Sequence, residues 1–126
     1  IRGLHFQRPP FAQAKLVRVI KGKVLDVAVD IRKGSPTYGQ HYSVLLTGDN
    51  HRQFFIPEGF AHGFVALEDN SIFTYKCSQF YHKEAEMSIR YNDPILNIDW
   101  GLDETPIMTE KDLCGVLFDQ FNTPFE

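Results

Sequence analysis

The fold is decided by the stretch AKLVRVIKGKVLDVAVDI, residues 14–31. On either side of Lys21-Gly22 this stretch shows the two-residue alternation of a β-strand. In its second half the odd-numbered aliphatic side chains share one face, while Asp26 and Asp30 share the other. The sequence therefore predicts a β-hairpin that is half-buried, with its aspartates on the polar face.

Short runs of the same kind recur along the chain with turns between them. They lie at residues 41–47, 52–56, 65–67, 71–78 and 87–91. Residues 57–64, which hold a proline and two glycines, are predicted to interrupt the strands. Thr109 is predicted to cap a short C-terminal helix that runs into residues 116–118. Seven or more short strands favour an all-β fold, either a sandwich or a jelly-roll barrel with its site inside.

Length and composition limit the class of protein. A chain of 126 residues can bury its own core, and we expect residues 1–126 to form a single domain. The net charge of −3 offers no basic field for nucleic acid, and the apolar runs are too short to cross a membrane. Cys77 and Cys114 lack metal or disulfide spacing, which favours a reducing cytoplasm. Because the chain opens at Ile1 rather than Met, we expect a native N-terminal segment to precede it.

The first chemically distinctive residues are Arg2 and His5, which are three positions apart. In a regular strand this spacing places the two side chains on opposite faces. A bulge or bend at Gly3 would bring them together, and glycine is the residue that bends most easily. His5 by itself is more typical of a hydrogen-bonded interior histidine than of a catalytic one.

A second candidate is His62, in the pattern Pro57-x-Gly59-x-x-His62. This spacing resembles the second motif of cupin barrels, which presents a histidine at the mouth of the barrel. Metal-binding cupins add an H-x-H pair and a glutamate, and this chain has no H-x-H. The other histidines are isolated in the sequence: His5, His41, His51 and His82. We therefore predict acid/base chemistry with no metal and no cofactor.

Aromatic side chains are concentrated in the middle strands, where they are predicted to line a pocket for a ring-shaped ligand or to form core. They are Phe54, Phe55, Phe60, Phe64, Phe73 and Tyr75.

Five ordered segments carry a family resemblance that covers nearly the whole chain. They are IRGLHFQ (1–7), AQAKLVRV (12–19), GKVLDVAVDIR (22–32), IPEGFAHGF (56–64) and YNDP (91–94). Together they resemble the dTDP-4-dehydrorhamnose 3,5-epimerase family. The resemblance implies a metal-independent cupin jelly roll that epimerises dTDP-4-dehydro-6-deoxy-D-glucose at C3 and C5 to dTDP-4-dehydro-L-rhamnose. Such an isomerase serves dTDP-L-rhamnose formation for polysaccharide and lipopolysaccharide biosynthesis.

The resemblance also implies roles for the residues that abstract and return the proton. His5 matches the catalytic base and Asp112 the carboxylate that pairs with it. Such a carboxylate fixes the tautomer of the imidazole and favours its protonated form. Tyr75 matches the acid that faces the base across the sugar. Taken alone, Asp112 is typical of a solvated helix residue and Tyr75 of a packed aromatic.

Three further residues match positions around the substrate. Lys15 and Arg2 match the cationic residues near the sugar carbonyl, and Lys15 is expected to serve both catalysis and binding. His62 matches a second active-site histidine. Lys15 lies at strand spacing from Val17, so it also fits a place on the rim of a sheet.

The resemblance further implies a homodimer that binds a dTDP-sugar, with nucleotide contacts supplied partly by the preceding N-terminal segment. Two alternatives stay open. One is an epimerase that acts at C3 or C5 alone in another deoxysugar pathway. The other is a non-catalytic sugar-nucleotide-binding cupin, which would be expected to lose the base, its carboxylate or the acid.

Overall fold

This computed structural model describes residues 1–102 and 106–125, whose regular structure consists of eight β-strands, one short α-helix and two 3-10 helices, Lys83–Ala85 and Phe118–Gln120. The strands are β1 (Arg2–Gln7), β2 (Lys15–Lys21), β3 (Lys23–Asp30), β4 (His41–Thr47), β5 (Gln53–Ile56), β6 (Phe60–Ala66), β7 (Ile72–Cys77) and β8 (Glu86–Ser88). They form a five-stranded sheet, β4-β3-β6-β1-β8, and a three-stranded sheet, β5-β2-β7, both antiparallel. The all-β prediction is confirmed, with the strands arranged as two sheets that share a core.

The predicted hairpin at residues 14–31 is wrong, although both of its strands form. β2 pairs with β5 and β7, whereas β3 pairs with β4 and β6, so the two runs belong to different sheets. The chain changes sheet at Gly22, whose φ is 92°. A Cβ at Gly22 would lie 2.8 Å from the Cα of Ser71, so the crossing requires a residue without a side chain.

The central strands of the five-stranded sheet, β3 among them, are covered on both faces, which corrects the prediction of a half-buried second run. Its inner face packs against the three-stranded sheet, where Val24 and Ala28 of β3 meet Val17 and Val19 of β2. Its outer face is covered by residues that follow β8 in the chain. These residues are Ile89, Leu96, Trp100 and Phe121, which pack on Leu4, Phe6, Val27, Val29 and Val65. Asp26 and Asp30, predicted to face solvent, are consequently fully buried.

The interruption predicted at residues 57–64 is confined to a turn before Phe60. Gly59 has a φ of 87°, and β6 then runs without a break from Phe60 to Ala66. His62 therefore lies inside a central strand and is buried, rather than following the turn at the mouth of a barrel. The glycines at 59 and 63 made this strand difficult to recognise from its sequence.

The predicted C-terminal helix forms as α1 (Glu110–Leu113), shorter than expected. Its cap is confirmed, because the Thr109 hydroxyl accepts a hydrogen bond from the backbone N–H of Asp112 at 3.3 Å. The helix ends at Leu113 because Val116 joins the sheet through a parallel bridge to Ile89. Hydrogen bonds from Val116 N to Ser88 O and from Arg90 N to Val116 O, both 3.0 Å, hold it there.

The bend predicted at Gly3 is present. The register between β1 and β6 shifts between Arg2 and His5, and Gly3 has a φ of 129°. A Cβ at this position would lie 2.5 Å from the Cα of Gly63 in β6. Two glycines therefore allow the backbones of β1 and β6 to approach closely where the chemically distinctive residues begin.

We predict that Gly3→Ala lowers the free energy of unfolding by roughly 3 kcal/mol, because strained backbone and overpacking each cost about 1–3 kcal/mol. The matched control is Gly101→Ala. Gly101 also has a positive φ, 68°, but a Cβ there would have no atom within 4 Å. The control should therefore cost only about 1 kcal/mol for the left-handed backbone. Urea unfolding of both variants tests the expectation, and equal losses would contradict the close-approach argument.

Candidate active site

Two adjoining cavities lie between the inner faces of the two sheets, with volumes of about 580 Å³ and 340 Å³. Both are lined by Arg2 and His5 from β1, Lys15 from β2 and Tyr75 from β7. The smaller, inner cavity is also lined by His62. The structure thus brings five of the six residues singled out from the sequence to one cleft.

The sixth residue, Asp112, stands behind His5 rather than on the cavity wall. Its Oδ1 lies 2.5 Å from Nε2 of His5, and its Oδ2 accepts a hydrogen bond from Gly3 N at 3.4 Å. Asp112 is buried, whereas about a quarter of the His5 side chain is exposed. This contact uses Nε2 and leaves Nδ1 as the ring nitrogen available to a ligand.

The environment of His5 favours the neutral imidazole. Burial lowers the pKa of His5 below its usual value, and the hydrogen bond and charge of Asp112 oppose this effect without cancelling it. Lys111 and Lys15 lower the pKa further. A histidine whose pKa is lowered stays unprotonated at neutral pH, and only an unprotonated imidazole can accept a proton.

A second histidine and carboxylate pair lies deeper between the sheets. Nε2 of His62 donates to Oδ1 and Oδ2 of Asp26 at 2.9 and 2.8 Å, and both side chains are buried. Burial raises the pKa of Asp26, while His62 and the nearby charge of Lys15 oppose the rise. Asp26 therefore lies near two residues that line the inner cavity, His62 and Lys15.

The two sheets face each other across the cleft with different chemistry. Burial lowers the pKa of Lys15, and the proximity of Cys77 and Asp26 opposes that effect. Tyr75 lies opposite Val17 in the β2–β7 register, and the residue is 58% exposed. The basic imidazole therefore belongs to the five-stranded sheet, whereas the ammonium and the phenol belong to the three-stranded sheet.

The aromatic cluster predicted from the sequence divides between three places. Phe64, Phe73 and Tyr75 line the inner cavity, with Phe64 and Phe73 ring centroids 4.5 Å apart. Phe54 and Phe60 pack against the core between the sheets, and Phe55 is exposed.

The most important residue that sequence reasoning misses is Asp26, which strand alternation places on the polar face of the second run. The informative feature was an aspartate inside an otherwise aliphatic strand, because a carboxylate buried there needs a specific partner. Glu86 and Lys111 were also missed; they contact each other as an ion pair and line the larger cavity.

Among the described residues, no three histidine, cysteine, aspartate or glutamate side chains are grouped so that they could hold a metal ion. None of the helices in residues 1–102 and 106–125 is long and apolar enough to span a membrane.

Two antiparallel sheets with a histidine and carboxylate site between them define an all-β, cupin-type protein with acid/base groups in its cleft. The chain belongs to the dTDP-4-dehydrorhamnose 3,5-epimerase family, whose sequence profile matches residues 1–120.

Individual relatives agree with this assignment. The dTDP-4-dehydrorhamnose 3,5-epimerase of Methanothermobacter thermautotrophicus is 54% identical over 114 residues, covering 89% of this chain and 61% of that protein. The crystal structure of the enzyme from Elizabethkingia anophelis has a TM-score of 0.94 and 48% identity, covering 97% of this chain and 67% of that one. The Legionella pneumophila enzyme in complex with dTDP-4-keto-L-rhamnose has a TM-score of 0.92 and 52% identity, covering 96% and 64%. The chain thus spans about two thirds of the length of these relatives.

The geometry at His5 gives a prediction that needs no substrate. In Asp112→Asn the pKa of His5 should fall further, because both contributions of Asp112 raise it. NMR titration of the His5 ring protons measures this value directly in both proteins. Glu110→Gln is the matched control, since it removes an exposed carboxylate from the same helix, two residues away. A pKa that rises in Asp112→Asn would contradict the assigned contact.

Proposed function

We propose that this protein epimerises a dTDP-4-dehydro-6-deoxy-D-glucose at C3 and C5 to dTDP-4-dehydro-L-rhamnose. The observation that carries the proposal is the His5–Asp112 pair opening onto the same cavity as Lys15 and Tyr75. The complex of the Legionella relative with dTDP-4-keto-L-rhamnose supports the substrate class.

The reaction requires an enolate. The C4 ketone acidifies the hydrogens at C3 and C5, because either carbanion delocalises onto the carbonyl oxygen. The main task of the site is to stabilise the negative charge on that oxygen. A fixed cation in a water-poor pocket stabilises it far more than the same cation would in bulk water. We assign the stabilisation of this oxygen to Lys15, whose side chain is mostly buried in the cleft. Arg2 lies beside the substrate.

His5 is the base in this proposal. Its ring is held by Asp112, its lowered pKa keeps it neutral, and Nδ1 is free of the Asp112 contact. After it takes a proton, the imidazolium gains from the carboxylate at 2.5 Å. His62, on the inner wall and hydrogen-bonded to Asp26, contacts the substrate without acting as its base.

Inversion requires a proton donor on the other face of the ring. Tyr75 projects from the three-stranded sheet, opposite the sheet that carries His5, and both line the same two cavities. A phenol has an unperturbed pKa near 10 and can donate to an enolate carbon.

We extend the proposal to the whole protein as a single-domain homodimer in the cytoplasm. Both cysteines are free, which agrees with a reducing compartment such as the cytoplasm. The outer face of the three-stranded sheet exposes Ile20, Phe55 and Ile72, and a second copy would bury them.

The direct experiment incubates the enzyme with dTDP-4-keto-6-deoxyglucose in deuterium oxide and locates the incorporated deuterium by NMR. Deuterium at C3 and C5 with inversion supports the proposal. Deuterium at one carbon alone would indicate a single-position epimerase, and none would indicate a binding protein.

We predict that His5→Ala stops exchange at both carbons, a fall of at least about 10²- to 10⁴-fold, because one base serves both positions. Asp112→Asn should keep binding and a small residual rate. Exchange that survives at either carbon in His5→Ala would require a second base, for which His62 is the candidate.

We predict that Tyr75→Phe separates exchange from inversion. The variant removes only a hydroxyl, so binding should hardly change and His5 should still exchange deuterium with retention at the original face. Inverted product should fall by about 10²- to 10⁴-fold, the usual contribution of a general acid. Near-normal inversion would remove Tyr75 from the mechanism and make Tyr81, which lines the larger cavity, the next candidate.

A further inference from the structure

Gln7, the last residue of β1, is a buried primary amide that the proposed mechanism does not use. Only 4% of the residue is exposed. Its Nε2 donates to the carbonyl oxygens of Phe11 at 2.7 Å and Phe80 at 3.2 Å, and its Oε1 accepts from the N–H of His82 at 2.9 Å. A buried amide needs such partners, because each one lost costs about 1–3 kcal/mol. Here all three partners belong to the main chain of segments outside the two sheets.

One of these segments, residues 78–82, contributes its first four residues to a wall of the larger cavity. It carries Phe80, which is 85% exposed, and Tyr81, which is 59% exposed. Side chains so exposed receive little support from packing, so the anchoring of their backbone sets where they point. Gln7 holds that backbone on both sides of Tyr81, at the Phe80 carbonyl and at the His82 N–H.

Among the described residues, the hydrogen bonds between this segment and β1, the strand that carries His5, both come from Gln7. The segment's other contacts lead to different parts of the chain. Gln13 Nε2 donates to Gln79 O at 2.7 Å, which ties the start of the segment to the chain just before β2. The imidazole of His82 stacks on the Phe11 ring with centroids 3.8 Å apart. Gln7 lies two residues after His5, on the same face of β1 and about 7 Å along the strand.

We propose that Gln7 is a positioning residue that fixes the Phe80–Tyr81 wall relative to His5 and thereby sets the affinity for the nucleotide part of the ligand. The inference rests on the proposed function for the identity of that ligand. We place the reacting sugar in the inner cavity beside His62, and the nucleotide in the larger cavity, which Gln7 also lines. Gln7 lies outside the inner cavity, so the chemical step should be much less sensitive to it than binding.

The test is Gln7→Glu in the full-length enzyme, which keeps the shape of the side chain but replaces the donating N–H₂ with an oxygen facing the Phe11 and Phe80 carbonyls. Calorimetric titration with dTDP should show an affinity about tenfold weaker. KM should rise by a similar factor, while kcat changes by less than about threefold. Gln53→Glu is the matched control: it makes the same change at an exposed position of β5 outside both cavities, and dTDP affinity should be unchanged.

A double-mutant cycle identifies the route of the effect. In a Phe80→Ala/Tyr81→Ala background, Gln7→Glu should have no further effect on dTDP affinity. If Gln7→Glu does not fold, Gln7→Met, which keeps the length without donors or charge, is measured in the same way.

Wild-type dTDP affinity in the Gln7 variant would overturn the inference, as would a loss of kcat at unchanged KM or an affinity loss that persists in the Phe80→Ala/Tyr81→Ala background. These outcomes differ from failure of the proposed function, in which the wild-type enzyme exchanges no deuterium into its substrate.

Discussion

The burial of β3 on both faces is the constraint on which the rest of the structure depends. One face packs against the three-stranded sheet and the other against the chain that follows β8, so no side chain of residues 26–30 reaches solvent. A strand in this position must give every polar side chain a partner within the protein. The two aspartates of β3 meet that requirement in different ways.

Asp30 is satisfied locally and has no capacity left for a ligand. The guanidinium of Arg32 donates to its two carboxylate oxygens at 3.0 and 2.9 Å, and the hydroxyls of Ser35 and Thr37 donate to Oδ2. These bonds come from residues within seven positions in the chain, so they shape the β3–β4 connection. Asp26 instead bonds a histidine from β6, next to a cavity. Burial is the same for both aspartates, but Asp30 bonds its own loop whereas Asp26 bonds a side chain that lines a cavity.

The site combines groups from parts of the chain that are far apart. His5 comes from the first strand, and its carboxylate partner comes from a helix that begins 105 residues later, capped by Thr109 and followed by Val116 on the sheet. Lys15 and Tyr75 come from the opposite sheet. In the proposed mechanism this separation places the base and the acid on opposite sheets, so that they can act at opposite faces of the sugar ring.

The sequence by itself determined the period-2 runs, the glycine at the β1 bend, the Thr109 cap and the absence of H-x-H, because these depend on residues close together in the chain. The family motifs indicate six further site residues without any geometry: His5, Asp112, Lys15, Tyr75, Arg2 and His62. Only the tertiary structure decided that β2 and β3 separate into two sheets at Gly22, that His62 lies within a strand and that Asp26 is its buried partner. Strand alternation tells which side chains share a face, but it does not tell what covers that face. The long-range packing of a second sheet and of the C-terminal chain decides that, and with it which polar residues become a site.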